Sequence, residues 1–167
     1  MRSISFVVAA SFVTLSSFAC ASTQASSSSP FDTSAPARLD SLSVERGACY
    51  GKCEIYQFIL HRDATVTLRK QSSESRVPIT MGQAESLLSA AVDAGVLTLP
   101  AKIRADSTLC PLDATDHATI ILSAWVGKAV TRVEHYTGCY ADHELRVVPR
   151  LQRLVALERR VDALARQ

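Results

Sequence analysis

The cysteines of this chain fall into two groups, and their positions restrict both where the chain folds and how. Cys20 directly follows an apolar N-terminal segment, whereas Cys49, Cys53, Cys110 and Cys139 lie in the part that carries the core-forming pattern. An even number of cysteines in a small exported domain is typical of a disulfide framework. The four inner cysteines therefore predict two disulfides in a domain that folds in an oxidising compartment.

The N-terminus has the organisation of a secretory signal peptide. Arg2 supplies a positive charge, residues 4–13 form an apolar run, and small residues lead to Cys20. The run is too short to span a bilayer. Two cleavage sites fit the residues that follow. Ser17-Phe18-Ala19-Cys20 resembles a lipobox, which would place diacylglycerol on Cys20, and Ala19-Cys20-Ala21 fits an A-x-A site, which would release a soluble product.

The lipobox interpretation gives the domain organisation that we expect. Residues 1–19 would be a signal peptide, residues 20–37 a lipid-anchored, Ser-rich flexible tether, and residues 38–167 a single folded domain. Assigning Cys20 to a lipid also leaves an even number of cysteines for disulfides. Because Ala21 is not the Asp that retains some lipoproteins at the inner membrane, the expected location is the periplasmic face of the outer membrane. The alternative is a Ser-rich disordered N-terminus without an anchoring role.

Composition excludes nucleic acid as a partner and supports a folded core. The chain has 18 Lys and Arg against 16 Asp and Glu, a net charge of +2, so a strongly basic nucleic-acid-binding protein is excluded. Hydrophobic residues make up 47% of the chain, which is enough to build a core. We therefore expect a globular domain whose partners are the membrane, through its anchor, and an unknown envelope protein or ligand.

Periodicity predicts an α+β fold with a mostly antiparallel sheet. Alternating apolar residues indicate a first strand near Leu42, followed by a hairpin. The expected pairs of that hairpin are Phe58 with Leu68 and Leu60 with Val66. A second hairpin around residues 125–128 places Ile120 opposite Arg132.

Two helices complete the predicted fold. Thr80 and Gln83 form a capping-box pattern that begins the first helix, and Gly95 offers a stop. The second helix begins near Pro149. We expect both helices to cover one face of a sheet made of the first strand and both hairpins, with two disulfides. The predicted core comprises Leu42, Phe58, Leu68, Leu88, Ile120, Val133, Leu151 and Leu154.

The string Cys49-Tyr50-Gly51-Lys52-Cys53-Glu54-Ile55-Tyr56 is the most distinctive motif in the chain. It resembles the C-x-G-x-C-P-x-Y signature of an uncharacterised bacterial envelope lipoprotein family, domain of unknown function 6438, with Glu54 in place of the proline. The resemblance extends in order along most of residues 39 to 165. The matching positions are Cys49, Gly51, Cys53, Tyr56, Asp116, His135, Tyr136 and Gly138. The resemblance implies a fold and an envelope location, but no reaction.

The expected disulfides are Cys49–Cys53 and Cys110–Cys139. The first closes a tight loop that Gly51 can turn, and the second lies near the open end of the second hairpin. A redox pair is the alternative for Cys49 and Cys53, although its spacing is one residue longer than the thioredoxin-like C-x-x-C. A zinc site using all four cysteines is disfavoured by their spacing and by an oxidising compartment.

The ionisable residues suggest no catalytic residue, metal or cofactor. Asp113 and Asp116 could meet His117 and His135 near the base of the second hairpin as a metal or general-base site, but isolated histidines are favoured. The remaining histidines, His61 and His143, fit no ligand spacing, and no nucleophile motif or Gly-rich phosphate loop is present. The last helix carries five arginines, which would either meet anionic lipids or form a solvated face with intrahelical pairs. These are Arg150, Arg153, Arg159, Arg160 and Arg166.

These observations favour a non-enzymatic envelope lipoprotein with a binding or structural role. The alternative is an exported inhibitor or small-ligand-binding module that displays Tyr50 and Lys52 on the disulfide-closed loop, and an exposed apolar patch there would favour it. A thiol-disulfide oxidoreductase is the third hypothesis, and it requires an exposed Cys53 in an electropositive environment.

Overall fold

A computed structural model of the chain describes residues 38–105, 107, 109–110, 114–139 and 148–167. The predicted signal peptide, the predicted lipid-bearing Cys20 and the predicted tether lie outside the described residues, as do Asp113 and His143. Within the described ranges, no helix has both the length and the apolar character needed to cross a membrane.

The described part of the chain folds as an α+β domain with seven strands and two α-helices, and a short 3-10 turn, Thr137–Cys139, follows the last strand. The elements, in chain order, are β1 Ser41–Arg46, β2 Tyr56–His61, β3 Val66–Lys70, β4 Ser73–Arg76, α1 Met81–Asp93, β5 Lys102–Ile103, β6 Thr119–Val126, β7 Ala129–Tyr136 and α2 Pro149–Ala165.

All seven strands form one sheet in the order β4-β3-β2-β1-β6-β7-β5. Every neighbouring pair is antiparallel except β5 and β7, which run parallel. The first strand lies between the two predicted hairpins, because β2 pairs with one edge of β1 and β6 with the other. The predicted fold class is confirmed, with two helices, a mostly antiparallel sheet and two disulfides.

The first hairpin has the predicted register, with Phe58 opposite Leu68 and Leu60 opposite Val66. The side chains of all four residues are buried on the same face of the sheet. Alternation of apolar and polar residues was sufficient to predict the register of this hairpin because the turn between its strands is short.

The predicted register of the second hairpin is wrong. Ile120 pairs with His135 and not with Arg132, since the chain reverses in a tight turn at Gly127 and Lys128. Gly127 has a φ of +58°, which glycine adopts without steric cost and which suits a two-residue hairpin turn. The correction places His135 opposite Ile120, on the face of β7 that also carries the buried Val133.

One face of the sheet packs against both helices in a single hydrophobic core, and all eight predicted core residues are buried there. The capping box of α1 forms as predicted: the Thr80 hydroxyl accepts from the Gln83 backbone N–H at 3.2 Å, and the Gln83 side chain accepts from Thr80 at 2.8 Å. Met81 has helical spacing to the apolar residues Ala84 and Leu88, but it lies in the first turn of α1 and is 51% exposed. Leu87, which the prediction omitted, is buried.

Candidate functional site

A disulfide closes the connection between β1 and β2. Cys49 and Cys53 are bonded with their Cα atoms 5.7 Å apart, as predicted, and we call residues 49–53 the stapled loop. Gly51 has a φ of +120°, a conformation that L side chains rarely adopt. Glycine therefore allows the chain to turn within so short a covalent ring.

The stapled loop displays its two predicted binding residues to solvent. The side chain of Tyr50 is 87% exposed, and Lys52 is also exposed. Ile55, two residues beyond the loop, is 45% exposed. These aromatic and aliphatic side chains are exposed within six residues of the chain, and a contiguous apolar patch on a small domain marks an interaction site.

Backbone hydrogen bonds attach the stapled loop to the segment that leads into β6, and the residues just before the loop to β6 itself. The Tyr50 N–H donates to the Asp116 carbonyl at 3.2 Å, and the Gly47 N–H donates to the Thr119 carbonyl at 2.9 Å. Asp116 itself has a φ of +70°. Tyr50 therefore projects from a loop that is closed covalently and is also fixed to the neighbouring strand.

The second predicted disulfide, Cys110–Cys139, is also present, with a Cα–Cα distance of 5.4 Å and both residues buried. Beside it, the Ala114 N–H donates to the Gly138 carbonyl at 2.9 Å. A Cβ atom at Gly138 would lie 2.3 Å from the Ala114 carbonyl oxygen, so only glycine fits. This disulfide fixes the segment before β6 to the end of β7.

Six of the eight residues matching the family signature gather at the end of the sheet where β1 and β7 finish and β6 begins. Tyr136 belongs to this group because its hydroxyl accepts a hydrogen bond from the His117 backbone N–H at 3.1 Å. The group comprises Cys49, Gly51, Cys53, Asp116, Tyr136 and Gly138. The other two, Tyr56 and His135, are buried between the sheet and α2.

A polar cleft of about 190 Å³ lies beside the stapled loop. Its charged lining residues are Arg104, Asp116 and Glu134, and the Asp116 carbonyl also accepts the bond from Tyr50. Sequence reasoning missed Arg104 and Glu134. The signal for Glu134 was available, because β7 alternates and its even-numbered residues point away from the core.

The buried residues of the signature connect the sheet to α2. Nδ1 of His135 lies 2.7 Å from Oε1 of Glu158, and these side chains are 0% and 2% exposed. Asp162, one turn further along α2, accepts a hydrogen bond from the hydroxyl of Tyr56 and pairs with Arg46 at 2.9 Å. Burial, followed by the hydrogen bond to Asp162, raises the pKa of Tyr56 far above its usual range.

The hypothetical metal or general-base cluster does not assemble from its described members. His135 faces the core, whereas His117 is exposed and packs edge-on against the ring of Tyr136, with ring centroids 6.5 Å apart. Among the described residues, no group of three or more His, Cys, Asp or Glu side chains is placed to hold a metal ion.

Three arginines of α2 bond to α1 and to the turn that follows it. Arg150 donates to the Thr98 hydroxyl at 2.7 Å, and Arg153 donates to the Asp93 carbonyl at 2.7 Å. Arg160 donates to the Ser86 hydroxyl at 2.9 Å. These three arginines therefore bond between elements and not within α2, and they hold the two helices together.

No family model, curated protein or solved structure matches the chain. The resemblance to the envelope family therefore stays a prediction. What the structure does show at this site is a disulfide-closed loop with an exposed tyrosine, standing beside a polar cleft.

Proposed function

We propose that this protein is an exported, membrane-tethered domain without enzymatic activity, which binds another component of the bacterial envelope through the stapled loop. The observation that supports this proposal is the 87% exposure of Tyr50 on a loop that is closed by a disulfide and hydrogen-bonded to Asp116.

The geometry of the loop favours binding for two physical reasons. Tyrosine is enriched among the residues that dominate interface energies, because it combines a large apolar ring with a hydrogen-bonding hydroxyl. A loop that is rigid before binding loses less conformational freedom when a partner orders it. Lys52 and Ile55 extend the exposed surface around Tyr50, and the polar cleft beside the loop supplies polar contacts for the rim of the proposed interface.

The membrane part of the proposal rests on the N-terminal sequence and on the resemblance to the envelope family. Cys20 would carry the lipid, residues 20–37 would form the tether, and the domain would face the periplasm from the outer membrane. The two disulfides are compatible with this, because they persist in oxidising compartments such as the periplasm.

The anchor is tested by metabolic labelling with a fatty-acid probe. The wild-type protein should become labelled and sediment with membranes, whereas Cys20→Ala should lose the label and appear in the soluble fraction. Label retained by Cys20→Ala would exclude the lipobox.

The binding surface is tested by photo-cross-linking in cells, with a photoreactive residue placed at position 50 or, as a control, at position 130. Val130 is 56% exposed and lies at the opposite end of the sheet, beside the β6–β7 turn. We expect a discrete cross-linked product from position 50 and none from position 130. The same product from both positions, or none from position 50, would contradict the proposal.

The exposed patch of Tyr50 and Ile55 also favours a second candidate, an exported inhibitor or ligand-binding module. If the cross-linked partner is a hydrolase, an inhibitor predicts that its activity falls on binding and recovers with Tyr50→Ala. Thiol-disulfide exchange receives less support, because Cys49 and Cys53 lie between two strands and not at the N-terminus of a helix, where the thiol pKa would be lowered.

A further inference from the structure

A second cleft, of about 300 Å³, lies at the opposite end of β1 from the stapled loop. One wall is a stripe of α1 that includes Glu85, Leu88 and Asp93, and the other is the segment at Arg38 and Leu39 that leads into β1. None of its lining residues belongs to the stapled loop or to the polar cleft beside it.

The floor of this second cleft is apolar. Leu39 and Leu88 are only 2% and 6% exposed, and Val92 beside them is half-buried. A volume of about 300 Å³ is at the lower end of the range for small-molecule sites, which combine an apolar lining with a few placed polar groups.

The two walls carry opposite charges. Arg38 stands on one wall, and Glu85 and Asp93 stand on the other, two turns apart along α1. Within the described part of the chain, the side chains of these three residues make no ion pair or hydrogen bond. The other cation of the cleft, Arg62, is already engaged by Asp40 at 3.1 Å and by the Leu39 carbonyl.

We propose that this cleft binds a zwitterion with an apolar side chain, of the size of an amino acid or a dipeptide. Its carboxylate pairs with Arg38, its ammonium group pairs with Glu85 or Asp93, and its side chain lies over Val92 and the exposed edge of Leu88. Charge complementarity selects this class of ligand. A purely anionic lipid or nucleotide would meet the two carboxylates of α1, and a purely cationic ligand would meet Arg38.

The proposal is independent of the stapled loop, and isothermal titration calorimetry on the full-length protein tests it. The probes are leucine and leucyl-leucine, with N-acetyl-leucinamide as a neutral analogue and octanoate as an anion without an ammonium group. We expect saturable binding of leucine or leucyl-leucine, and the stronger of the two identifies the preferred size. The neutral analogue and octanoate should bind at least about tenfold more weakly, because each lacks a charged contact.

Variants identify the charged contacts. Arg38, Glu85 and Asp93 are exposed, so their substitution removes charge without disturbing the core. Arg38→Ala should weaken binding of the zwitterion by about tenfold or more, and so should Glu85→Gln or Asp93→Asn, whichever removes the carboxylate that pairs with the ammonium group. Two matched controls, Arg132→Ala and Tyr50→Ala, change exposed residues outside the cleft and should leave the affinity unchanged. Three results would overturn the proposal: the neutral analogue binds as tightly as the zwitterions, octanoate binds more tightly than they do, or neither zwitterion binds. If position 50 gives no cross-link while the zwitterion still binds, the proposed function of the stapled loop is contradicted and the zwitterion site is not.

Discussion

The imidazole Nδ1 of His135 lies 2.7 Å from the Oε1 of Glu158, with both side chains buried between β7 and α2. Asp162, on the next turn of the same helix, contacts Tyr56 and Arg46. The C-terminal helix is therefore positioned on the sheet by polar groups as well as by apolar packing. Polar pairs of this kind are costly to break because the remaining partner stays in a medium of low polarity.

The His135–Glu158 pair gives the first prediction. Glu158→Leu should lower the free energy of unfolding by about 3 kcal/mol, because it leaves the imidazole buried without its carboxylate. The double variant His135→Leu/Glu158→Leu should lose less than the sum of the two single variants. Urea denaturation of the wild type, the two single variants and the double variant measures these free energies of unfolding. Additive losses would mean that the two side chains are not energetically coupled.

Tyr56 gives a prediction about pH. Its folded pKa is raised, so the folded state keeps the phenolic proton at a pH where the unfolded chain begins to lose it, about 10. The stabilisation is therefore fully present below that pH and is lost as the pH rises above it. Unfolding free energies measured from about pH 7 to about pH 11 should fall more steeply for the wild type than for Tyr56→Phe. Tyr50→Phe, a change on an exposed ring, should follow the wild type.

The two disulfides should differ in their effect on stability. Cys110–Cys139 closes a much longer loop than Cys49–Cys53, with sequence separations of 29 and 4 residues. In the chain-entropy model these loops correspond to about 4 and about 2 kcal/mol. Thermal unfolding of Cys110→Ala/Cys139→Ala should therefore show the larger loss. A larger loss from Cys49→Ala/Cys53→Ala would mean that the stapled loop stabilises the domain by other interactions.

Gly138 and Gly82 form a matched pair of glycine substitutions. A Cβ at Gly138 would lie 2.3 Å from the Ala114 carbonyl and 2.5 Å from the Tyr136 ring, so Gly138→Ala must displace the backbone or the ring. We expect a loss of about 2 kcal/mol or more, as for other overpacked sites. Gly82→Ala lies in the exposed first turn of α1, where the nearest atom is 4.0 Å away, and should be neutral or stabilising by up to about 1 kcal/mol. Equal effects in thermal unfolding would contradict the close packing at Gly138.

The sequence predicted those features that depend on local pattern. The alternate positions of Phe58 and Leu60 predicted the register of the first hairpin, and the capping box at Thr80 predicted where α1 begins. The strands β4 and β5 were missed for different reasons. Ser73–Arg76 has no apolar residue to alternate, and Lys102–Ile103 is too short to show a period.

The site was only partly predictable, for reasons of tertiary structure. The exposure of Tyr50 followed from its place in a small disulfide ring, as expected. Alternation with Val133 places His135 on the inward face of β7, but its position opposite Ile120 was not predictable, because it depends on the turn at Gly127, which shifts the pairing of β7 by three residues relative to the predicted register. The acidic partners on α2 are distant in sequence from His135 and Tyr56, so no local pattern connects them.

The central claim is that the disulfide presents Tyr50 to a partner in the envelope. The most direct measurement is the yield of the position-50 cross-link in cells, compared between the protein with the intact disulfide and Cys49→Ser/Cys53→Ser, at equal membrane levels and with cooperative unfolding verified for both. The account predicts that the variant loses most of the cross-link, by about tenfold, because the freed loop must be ordered again on binding. An undiminished yield in the folded variant would contradict it.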